Sequence, residues 1–313
     1  MLSEKIKDYN VETVWKDLVL YFGDSEEGVI EFPGLVKGGG VEVGYYYGKG
    51  KEKNVVAISQ QIGCVGKCKF CDLGDMDFVR DLTVKEMYDQ TALMLQIASQ
   101  YGIEIDNIKH KVSFSKSGEP LLNNNVVGAL EEIGKLGVSF KVATVFPAGK
   151  KVADNFYKVA DFASNYEEPV QMQISLISTS EEYRKEIAGI KLANFHDIRK
   201  AGEYWREKNP NRRKVNLSLI ITENNPIDVK KAADYFPNDL FRIRLRPYVM
   251  NEHGVESKIA EPGRDCVGNI KSEFEAKGYE VRDWAIPTPI EQRFGLASNV
   301  TLKRYLRMIN REI

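Results

Sequence analysis

The sequence predicts an α/β fold in which six parallel strands and the helices between them form a partial (β/α)6, TIM-like barrel. The first observation is an alternation of short β-branched runs with helical segments, which starts at residue 54 and continues to about residue 249. Such an alternation is typical of parallel strands joined by right-handed crossover helices. The second observation is that several of these strands carry apolar residues on one face and polar residues on the other. The third is length, since 313 residues can fill one barrel-type domain.

The predicted elements divide the chain into three parts. Residues 1–53 predict an N-terminal α+β extension, in which an amphipathic helix over residues 1–22 precedes a β-hairpin. Residues 54–261 carry the barrel, and residues 262–313 form a C-terminal extension. The barrel strands are expected near residues 54–60, 109–115, 138–145, 170–177, 214–222 and 240–249. The helices are expected near residues 83–101, 124–136, 151–164, 180–207, 227–236 and 263–278.

Composition and charge narrow the class of protein. No apolar run approaches the roughly 20 residues of a membrane span, and the N-terminus lacks an apolar signal core. We therefore expect a cytoplasmic protein with no membrane partner. The formal net charge is −1, whereas nucleic-acid-binding proteins usually carry a basic excess. The composition therefore favours a small polar or anionic substrate over RNA.

Three of the four cysteines lie within one short loop. Cys64, Cys68 and Cys71 have the spacing Cys-x3-Cys-x2-Cys, and thiolates at close spacing suit zinc or an iron–sulfur cluster. A structural zinc site normally closes with four ligands, but this loop offers three, and the nearest histidine, His110, is far along the chain. Three thiolates on a four-iron cluster would leave one iron open for chemistry. A zinc site or a redox cysteine group remains the alternative.

A second motif stands at the end of the second predicted barrel strand. Gly118, Glu119 and Pro120 form a turn in which glycine permits a close approach of the backbone. The carboxylate of Glu119 can accept a hydrogen bond from an ammonium or hydroxyl group. Because active sites of related barrels lie at the carboxyl ends of the strands, this turn and the cysteine loop should meet.

The inward face of the barrel is predicted to be polar. Gln171 and Gln173 share the inward parity of the fourth strand, and three arginines at positions 242, 244 and 246 share that of the sixth. One interpretation is an exposed edge strand, whose charges discourage sheet pairing. The other is an anion clamp, which the planar guanidinium group suits. We expect Gln171, Gln173, Arg244 and Arg246 to contact substrate, with Arg246 the first choice.

Both motifs together resemble the radical S-adenosylmethionine (radical SAM) superfamily. The resemblance rests on the cysteine spacing, on Phe70 directly before the third cysteine, and on Gly-Glu-Pro one β/α unit later. It implies a [4Fe–4S] cluster on the three cysteines and S-adenosylmethionine chelated at the open iron. It also implies an electron donor such as flavodoxin or ferredoxin, and a 5′-deoxyadenosyl radical that abstracts hydrogen from the substrate.

The sequence that flanks the two motifs is similar to that of the RNA adenine C2 methyltransferases and their C8-methylating relatives. The similar stretches are residues 59–64 and 118–123, with further likeness at residues 174–176. This resemblance implies a set of residues that hold S-adenosylmethionine: Phe70, Gly118, Glu119, Pro120, Thr144, Ser175 and Asn251.

The chain departs from that family at its two methyl-transferring cysteines. Ala57 stands where the first strand carries one, and Phe294 stands where a C-terminal loop carries the other. We therefore expect a radical SAM enzyme that abstracts hydrogen without two-cysteine methyl transfer. The alternatives are an RNA methyltransferase whose cysteine has moved, with Cys266 as the candidate, and a metal-binding protein without catalysis.

Overall fold

The computed structural model describes residues 1–9, 20–23, 27–48, 53–263, 265–283, 302–303 and 306–307. Ten strands of this part form one sheet in the order β1-β2-β3-β4-β7-β8-β9-β10-β11-β12, and β5 and β6 form a separate pair. The strands are β1 Leu20–Gly23, β2 Glu27–Val36, β3 Gly39–Gly48, β4 Asn54–Ile58, β5 Gln61–Ile62, β6 Arg80–Asp81, β7 His110–Phe114, β8 Ser139–Thr144, β9 Val170–Ile177, β10 Val215–Ile221, β11 Phe241–Pro247 and β12 Val281–Asp283.

Helices connect the parallel strands. They are α1 Leu2–Ile6, α2 Val84–Gln100, α3 Val126–Gly134, α4 Lys150–Asn165, α5 Glu181–Ile187, α6 Phe195–Lys208, α7 Val229–Tyr235, α8 Glu252–Glu256 and α9 Cys266–Ala276, with a 3₁₀ turn at Pro120–Leu122. None of the helices that the structure describes combines the length and the apolarity that a membrane span requires.

The predicted partial (β/α)6 barrel is confirmed. Strands β4, β7, β8, β9, β10 and β11 pair in parallel in chain order, with a helical crossover after each of the first five. The strand β12 continues the sheet in parallel beyond β11. On the other side, β3 pairs antiparallel with β4, so the N-terminal hairpin extends the same sheet. The part boundaries at residues 53 and 261 therefore remain a prediction.

The N-terminal helix expected over residues 1–22 is wrong at its end. Leu20–Gly23 is the strand β1, which pairs antiparallel with β2, and α1 ends at Ile6. The apolar residues that suggested the rest of the helix lie outside the described residues, as does Phe294. An apolar pattern alone does not distinguish a helix from a strand, and β1 is a strand because it pairs with β2, the next strand in the chain.

The apolar faces of the barrel strands pack against the helices. Met172 and Ile174 of β9 and Leu217 of β10 are buried in the same core as Phe156 of α4 and Trp205 of α6. This is the outward face that the alternation of residues predicts. The opposite, polar face therefore lines the lumen of the barrel.

Candidate functional site

The cysteine loop leaves the carboxyl side of the first barrel strand. It connects β5 to β6, and these two short strands pair antiparallel at its base. Gly63 has a φ of +68°, and a Cβ there would lie 1.8 Å from the carbonyl oxygen of Asp77. Glycine is therefore required where the loop closes on itself.

The connection between α5 and α6 holds the cysteine loop from the other side. The backbone N–H of Lys69 donates to the carbonyl of Ile187 at 2.9 Å, and that of Gly189 donates to Gly66 at 2.9 Å. A Cβ on Gly189 would lie 2.5 Å from the Cβ of Lys67. The single helix expected over residues 180–207 is wrong for this reason, since the chain breaks at residues 188–194 to contact the loop. Gly189 inside the helical pattern was the available signal.

The three thiols are well suited to bind a metal cluster. Cys68 is buried, while Cys64 and Cys71 are half-buried, and none of them forms a disulfide. Burial raises the pKa of Cys64 and, more strongly, of Cys68, and it raises the pKa of Cys71 to about 12, with neighbouring thiols adding to the last two shifts. Bound iron would supply the positive charge that keeps such sulfurs deprotonated.

The distances between possible ligand side chains show which kind of metal centre the site can hold. Within the described part of the chain, no three His, Cys, Asp or Glu side chains are gathered as ligands of a single metal ion. The fit of an iron–sulfur cluster therefore rests on the donor set and its burial. The three thiols act electrostatically on one another, and Glu119 acts on Cys64 and Cys68, so the carboxylate and the sulfurs share one site.

The Gly-Glu-Pro turn lies directly against the strand that precedes the cysteine loop. Gly118 has a φ of +110°, and a Cβ there would lie 2.8 Å from the backbone nitrogen of Gln61. The N–H of Glu119 donates to Oε1 of Gln61 at 3.0 Å, and the carbonyl of Ser117 accepts from Gln61 at 3.1 Å. Pro120 then starts the 3₁₀ turn. Gln61, which the sequence analysis did not single out, thus links the two motifs.

Glu119 is a buried carboxylate with its oxygens aimed at the next strand. It accepts hydrogen bonds from the hydroxyl of Thr144 at 2.5 Å, from the N–H of Val145 at 2.9 Å and from the N–H of Leu121 at 3.1 Å. Burial raises its pKa to about 7, against the lowering effect of these donors. A buried carboxylate of this kind is stabilised further by a cationic ligand, such as an ammonium group.

Asn251 and Phe70 meet at the cysteine loop, but through the backbone of Phe70. The side-chain N–H of Asn251 donates to the carbonyl of Phe70 at 2.8 Å, and its Oδ1 accepts from the N–H of Gly254 at 2.8 Å. Both ends of the amide therefore have partners within the chain, and Asn251 holds the backbone of the cysteine loop. The ring of Phe70 packs on a small apolar cluster that includes Ile177 and Tyr248.

The polar residues of the fourth strand lie at different depths of the lumen. Gln171 is at the amino end of β9, where its side chain donates to the carbonyl of Lys214 at 3.1 Å. Gln173 is buried, and its Oε1 has no hydrogen-bond partner among the described residues. Ser175 is half-buried and stands beside Ser218 in the register.

The three arginines of β11 do not lie on an exposed edge, because β12 covers that side of the strand. Arg242 is buried and donates to Asn216, to Gln171 at 2.5 Å and to Glu280 at 3.2 Å. Arg244 and Arg246 are half-buried. Arg246 is close enough to Cys71 for their charges to interact, which places it towards the cysteine loop.

A buried charged triad borders the Gly-Glu-Pro turn. The Nζ of Lys116 lies 3.0 Å from Oε1 of Glu31 and 2.5 Å from Oε1 of Glu42, and all three side chains are almost fully buried. Burial and Glu42 raise the pKa of Glu31 to about 7, although Lys116 acts to lower it. Burial lowers the pKa of Lys116, but the two carboxylates outweigh this and raise it well above its usual value. The triad therefore fixes the N-terminal hairpin onto the second barrel strand.

We expect Lys116→Met to reduce the free energy of unfolding by about 3–5 kcal/mol at pH 7.5, because two buried carboxylates would lose their cation. The folded-state pKa of Glu31 is above its ordinary value of 4.5, so the folded state binds the proton more tightly. Protonation then favours folding, and the loss should shrink as the pH falls from above 7 towards 4.5. Urea unfolding over this range measures it.

The matched control is Lys135→Met, which removes an exposed ion pair with Glu132 at 2.7 Å. Such a pair contributes less than about 1 kcal/mol. A loss for Lys116→Met no larger than that of the control would contradict the structural importance of the triad.

The methyl-carrying cysteine has no replacement in the described part of the lumen. Ala57 is buried on β4 and pairs with Ser113 on the inward parity. Cys266 begins α9 and packs, half-buried, against the core on the outward face of the sheet. The alternative of a relocated cysteine at this position is therefore not supported by the geometry.

Cavity size does not identify the site. A cavity of about 820 Å³ lies at the amino ends of the strands, where Lys53, His110 and Ser139 line it. This is the end opposite the cysteine loop. The chemistry of the residues, rather than volume, marks the carboxyl end as the functional one.

Comparison with curated proteins finds relatives, although no family model matches the chain. A protein of Endomicrobium trichonymphae, named as a probable dual-specificity RNA methyltransferase RlmN, is 30% identical over 246 residues, which are 73% of this chain and 64% of that protein. A protein of the same name from Christiangramia forsetii is 31% identical over 172 residues, which are 52% and 45% of the two chains. The chain thus spans about half to somewhat under two thirds of the relatives it matches.

Solved structures share the fold. A radical SAM methyltransferase from Sphaerobacter thermophilus superposes with a TM-score of 0.66 at 16% identity, covering 85% of this chain and 76% of that one. Streptococcus suis SuiB, solved with S-adenosylmethionine bound, superposes with a TM-score of 0.50 at 12% identity, covering 75% and 51%. At these identities the likeness shows the fold alone.

The expectation that a small polar or anionic substrate is favoured over RNA is wrong. It rested on the net charge of −1, whereas the similar curated proteins are named RNA methyltransferases. Net charge misleads here because it sums the whole surface. The lumen itself collects cations, among them Lys141, Arg244 and Arg246.

Proposed function

We propose that this chain, which belongs to the radical SAM superfamily, is a radical SAM enzyme that modifies RNA. The observation that carries the proposal is that one buried and two half-buried thiols lie at the carboxyl end of the barrel together with the buried carboxylate of Glu119. The choice of RNA is supported by the names of the relatives. Three thiolates are one short of a closed four-ligand set, which suits a cluster with one open iron.

Different residues would bind the two cofactors. Cys64, Cys68 and Cys71 would bind a [4Fe–4S] cluster, and Glu119 would accept hydrogen bonds from the amino group of S-adenosylmethionine. When bound, these two groups supply a carbon-centred radical that can remove a hydrogen atom from the substrate. Thr144 keeps the carboxylate of Glu119 in place through the bond of 2.5 Å.

The loop contacts keep the site rigid. Gly189 and Asn251 both hydrogen-bond to the backbone of the cysteine loop, and Gln61 holds the Gly-Glu-Pro turn beside it. Sites whose ligands are fixed by such second contacts lose less entropy on binding. These residues therefore position the groups that touch the cofactor.

The proposed reaction does not use two-cysteine methyl transfer. Ala57 cannot hold a methyl group as a thioether, and Cys266 lies on the outer side of the sheet. RNA methylation by another route is the second candidate function, and the names of the relatives favour it.

The experiment combines anaerobically reconstituted protein, a reductant, ribosomal or transfer RNA, and S-adenosylmethionine labelled with ¹³C in its methyl group. We expect 5′-deoxyadenosine to form several-fold faster with RNA than without it. Mass spectrometry of the digested RNA should show a nucleoside of altered mass that lacks the labelled methyl group.

The controls separate the parts of the proposal. Label in an RNA nucleoside would select the methylation candidate. An equal rate of 5′-deoxyadenosine formation with and without RNA, together with unchanged nucleosides, would overturn RNA as the substrate. No cleavage of S-adenosylmethionine under any reducing condition would overturn the enzyme class.

A further inference from the structure

Two cations inside the barrel have no bonded partner among the described residues. Lys141 lies on β8, where Ser113 and Gln171 are its neighbours in the register. Arg244 lies on β11 beside Ser218. Both side chains are half-buried, and the charges that act on them in this part of the chain are all positive.

Arg242, on the same face of β11, shows how the chain satisfies a structural arginine in this lumen. It donates to the side chains of Asn216, Gln171 and Glu280. Its charge is thus met by one carboxylate and two amide oxygens. Arg244 has neither kind of contact in the described residues, although it is one inward position further along the same strand.

The arrangement is costly without a counter-charge. Burial, Arg244, Lys111 and Arg246 together lower the pKa of Lys141 well below its usual value. Burial and the neighbouring arginines lower the pKa of Arg244 to about 10. Buried cations in proteins are normally paired, and an anion between Lys141 and Arg244 would convert repulsion into attraction.

We propose that the lumen binds a phosphate group between Lys141 and Arg244. A phosphate carries enough negative charge to neutralise both cations, the guanidinium group binds it in a bidentate manner, and the ammonium group contributes a point charge. That the phosphate belongs to a nucleotide of RNA rests on the proposed function, whereas the binding of phosphate itself does not.

The polar surroundings agree with an anion that enters from the carboxyl end. Ser113 and Ser115, whose hydroxyls are 2.8 Å apart, occupy the same face one strand away from Lys141. The carboxyl end is also where the cysteine loop and Glu119 lie. A nucleotide whose phosphate lay between Lys141, which is level with Gln171, and Arg244 would extend from there towards the cofactor site at the carboxyl end, which makes the two cations determinants of substrate position.

The test is isothermal titration of the reconstituted protein with inorganic phosphate, adenosine 5′-monophosphate and adenosine. We expect the first two to bind, and Lys141→Met and Arg244→Met each to weaken that binding about tenfold, as the loss of one hydrogen bond to a charged group predicts. Binding of adenosine should change little. The control is Lys158→Met, an exposed lysine on the outer helix α4.

A second measurement does not depend on any ligand assay succeeding. In a buffer without phosphate or sulfate, Lys141→Met should melt at a higher temperature than the unmodified protein, because a repelled, partly buried cation is removed. Added phosphate should raise the melting temperature of the unmodified protein but not that of the variant. Lys141→Gln repeats the comparison with a polar side chain if methionine disturbs folding.

The possible outcomes distinguish failure of the phosphate site from failure of the proposed function. Equal phosphate affinity in all variants, or a lower melting temperature of Lys141→Met without anion, would overturn the phosphate site. If the Lys141→Met and Arg244→Met variants bind S-adenosylmethionine more weakly but phosphate as before, the phosphate site is also overturned. The two cations would then bind the carboxylate of the cofactor. If inorganic phosphate binds at least as tightly as adenosine 5′-monophosphate, the site is supported, and its ligand is free phosphate rather than a nucleotide. Intact phosphate binding without any RNA-dependent reaction would count against the proposed function alone.

Discussion

Replacing Cys68 by alanine is expected to abolish cleavage of S-adenosylmethionine, with a loss of more than about a hundredfold. Altering the partners of metal ligands already costs about 10–100-fold, so the loss of a ligand should cost more. Cys68 is the most buried of the three thiols, and the one cysteine outside the loop, Cys266, lies on the outer helix α9. The measurements are iron and sulfide content after reconstitution and the rate of 5′-deoxyadenosine formation.

The matched control is Cys266→Ala, which removes the fourth cysteine of the chain from the outer helix α9. It should keep the iron content and the rate of the unmodified protein. If Cys266→Ala lost the cluster while Cys68→Ala kept it, the assignment of the cysteine loop as the cluster site would be wrong.

Replacing Glu119 by glutamine is expected to weaken the binding of S-adenosylmethionine by roughly 30-fold or more. Removing one partner of a buried charge pair costs about 2–5 kcal/mol, and each 1.4 kcal/mol is tenfold in affinity. An amide also cannot accept from both Thr144 and the N–H of Val145 as the carboxylate does. Equilibrium binding of S-adenosylmethionine to the reconstituted protein measures the effect.

Two comparisons make the Glu119 result specific. Glu131→Gln, on the exposed face of α3, changes the same chemical group away from the site and should leave the affinity unchanged. The iron content of Glu119→Gln should match that of the unmodified protein, because the carboxylate is not a cluster ligand. Unchanged affinity in a variant with a full cluster would contradict the proposed role of Glu119.

The sequence was most informative where chemistry and periodicity act locally. The alternation of strands and helices predicts the barrel strands to within about two residues, because each strand carries its own apolar face. The cysteine loop and the Gly-Glu-Pro turn were expected to meet, since parallel strands bring their carboxyl ends to one edge, and Glu119 does act on Cys64 and Cys68.

The features that could not be predicted from the sequence depend on contacts between distant parts of the chain. Lys116 meets Glu31 across 85 positions, and no local pattern around either residue marks the pair. Asn251 reaches the carbonyl of Phe70 across 181 positions, and no local pattern marks this contact, which holds the cysteine loop. Net charge was a poor guide to the class of substrate because it sums the whole chain, whereas the relatives named RNA methyltransferases point to RNA.

The most direct test of a cluster with one open iron is electron paramagnetic resonance of the reconstituted, reduced protein before and after addition of S-adenosylmethionine. We expect the signal of a reduced [4Fe–4S] cluster that changes when S-adenosylmethionine binds the iron without a cysteine ligand. A four-iron signal that is indifferent to S-adenosylmethionine, or no four-iron cluster at all, would contradict it.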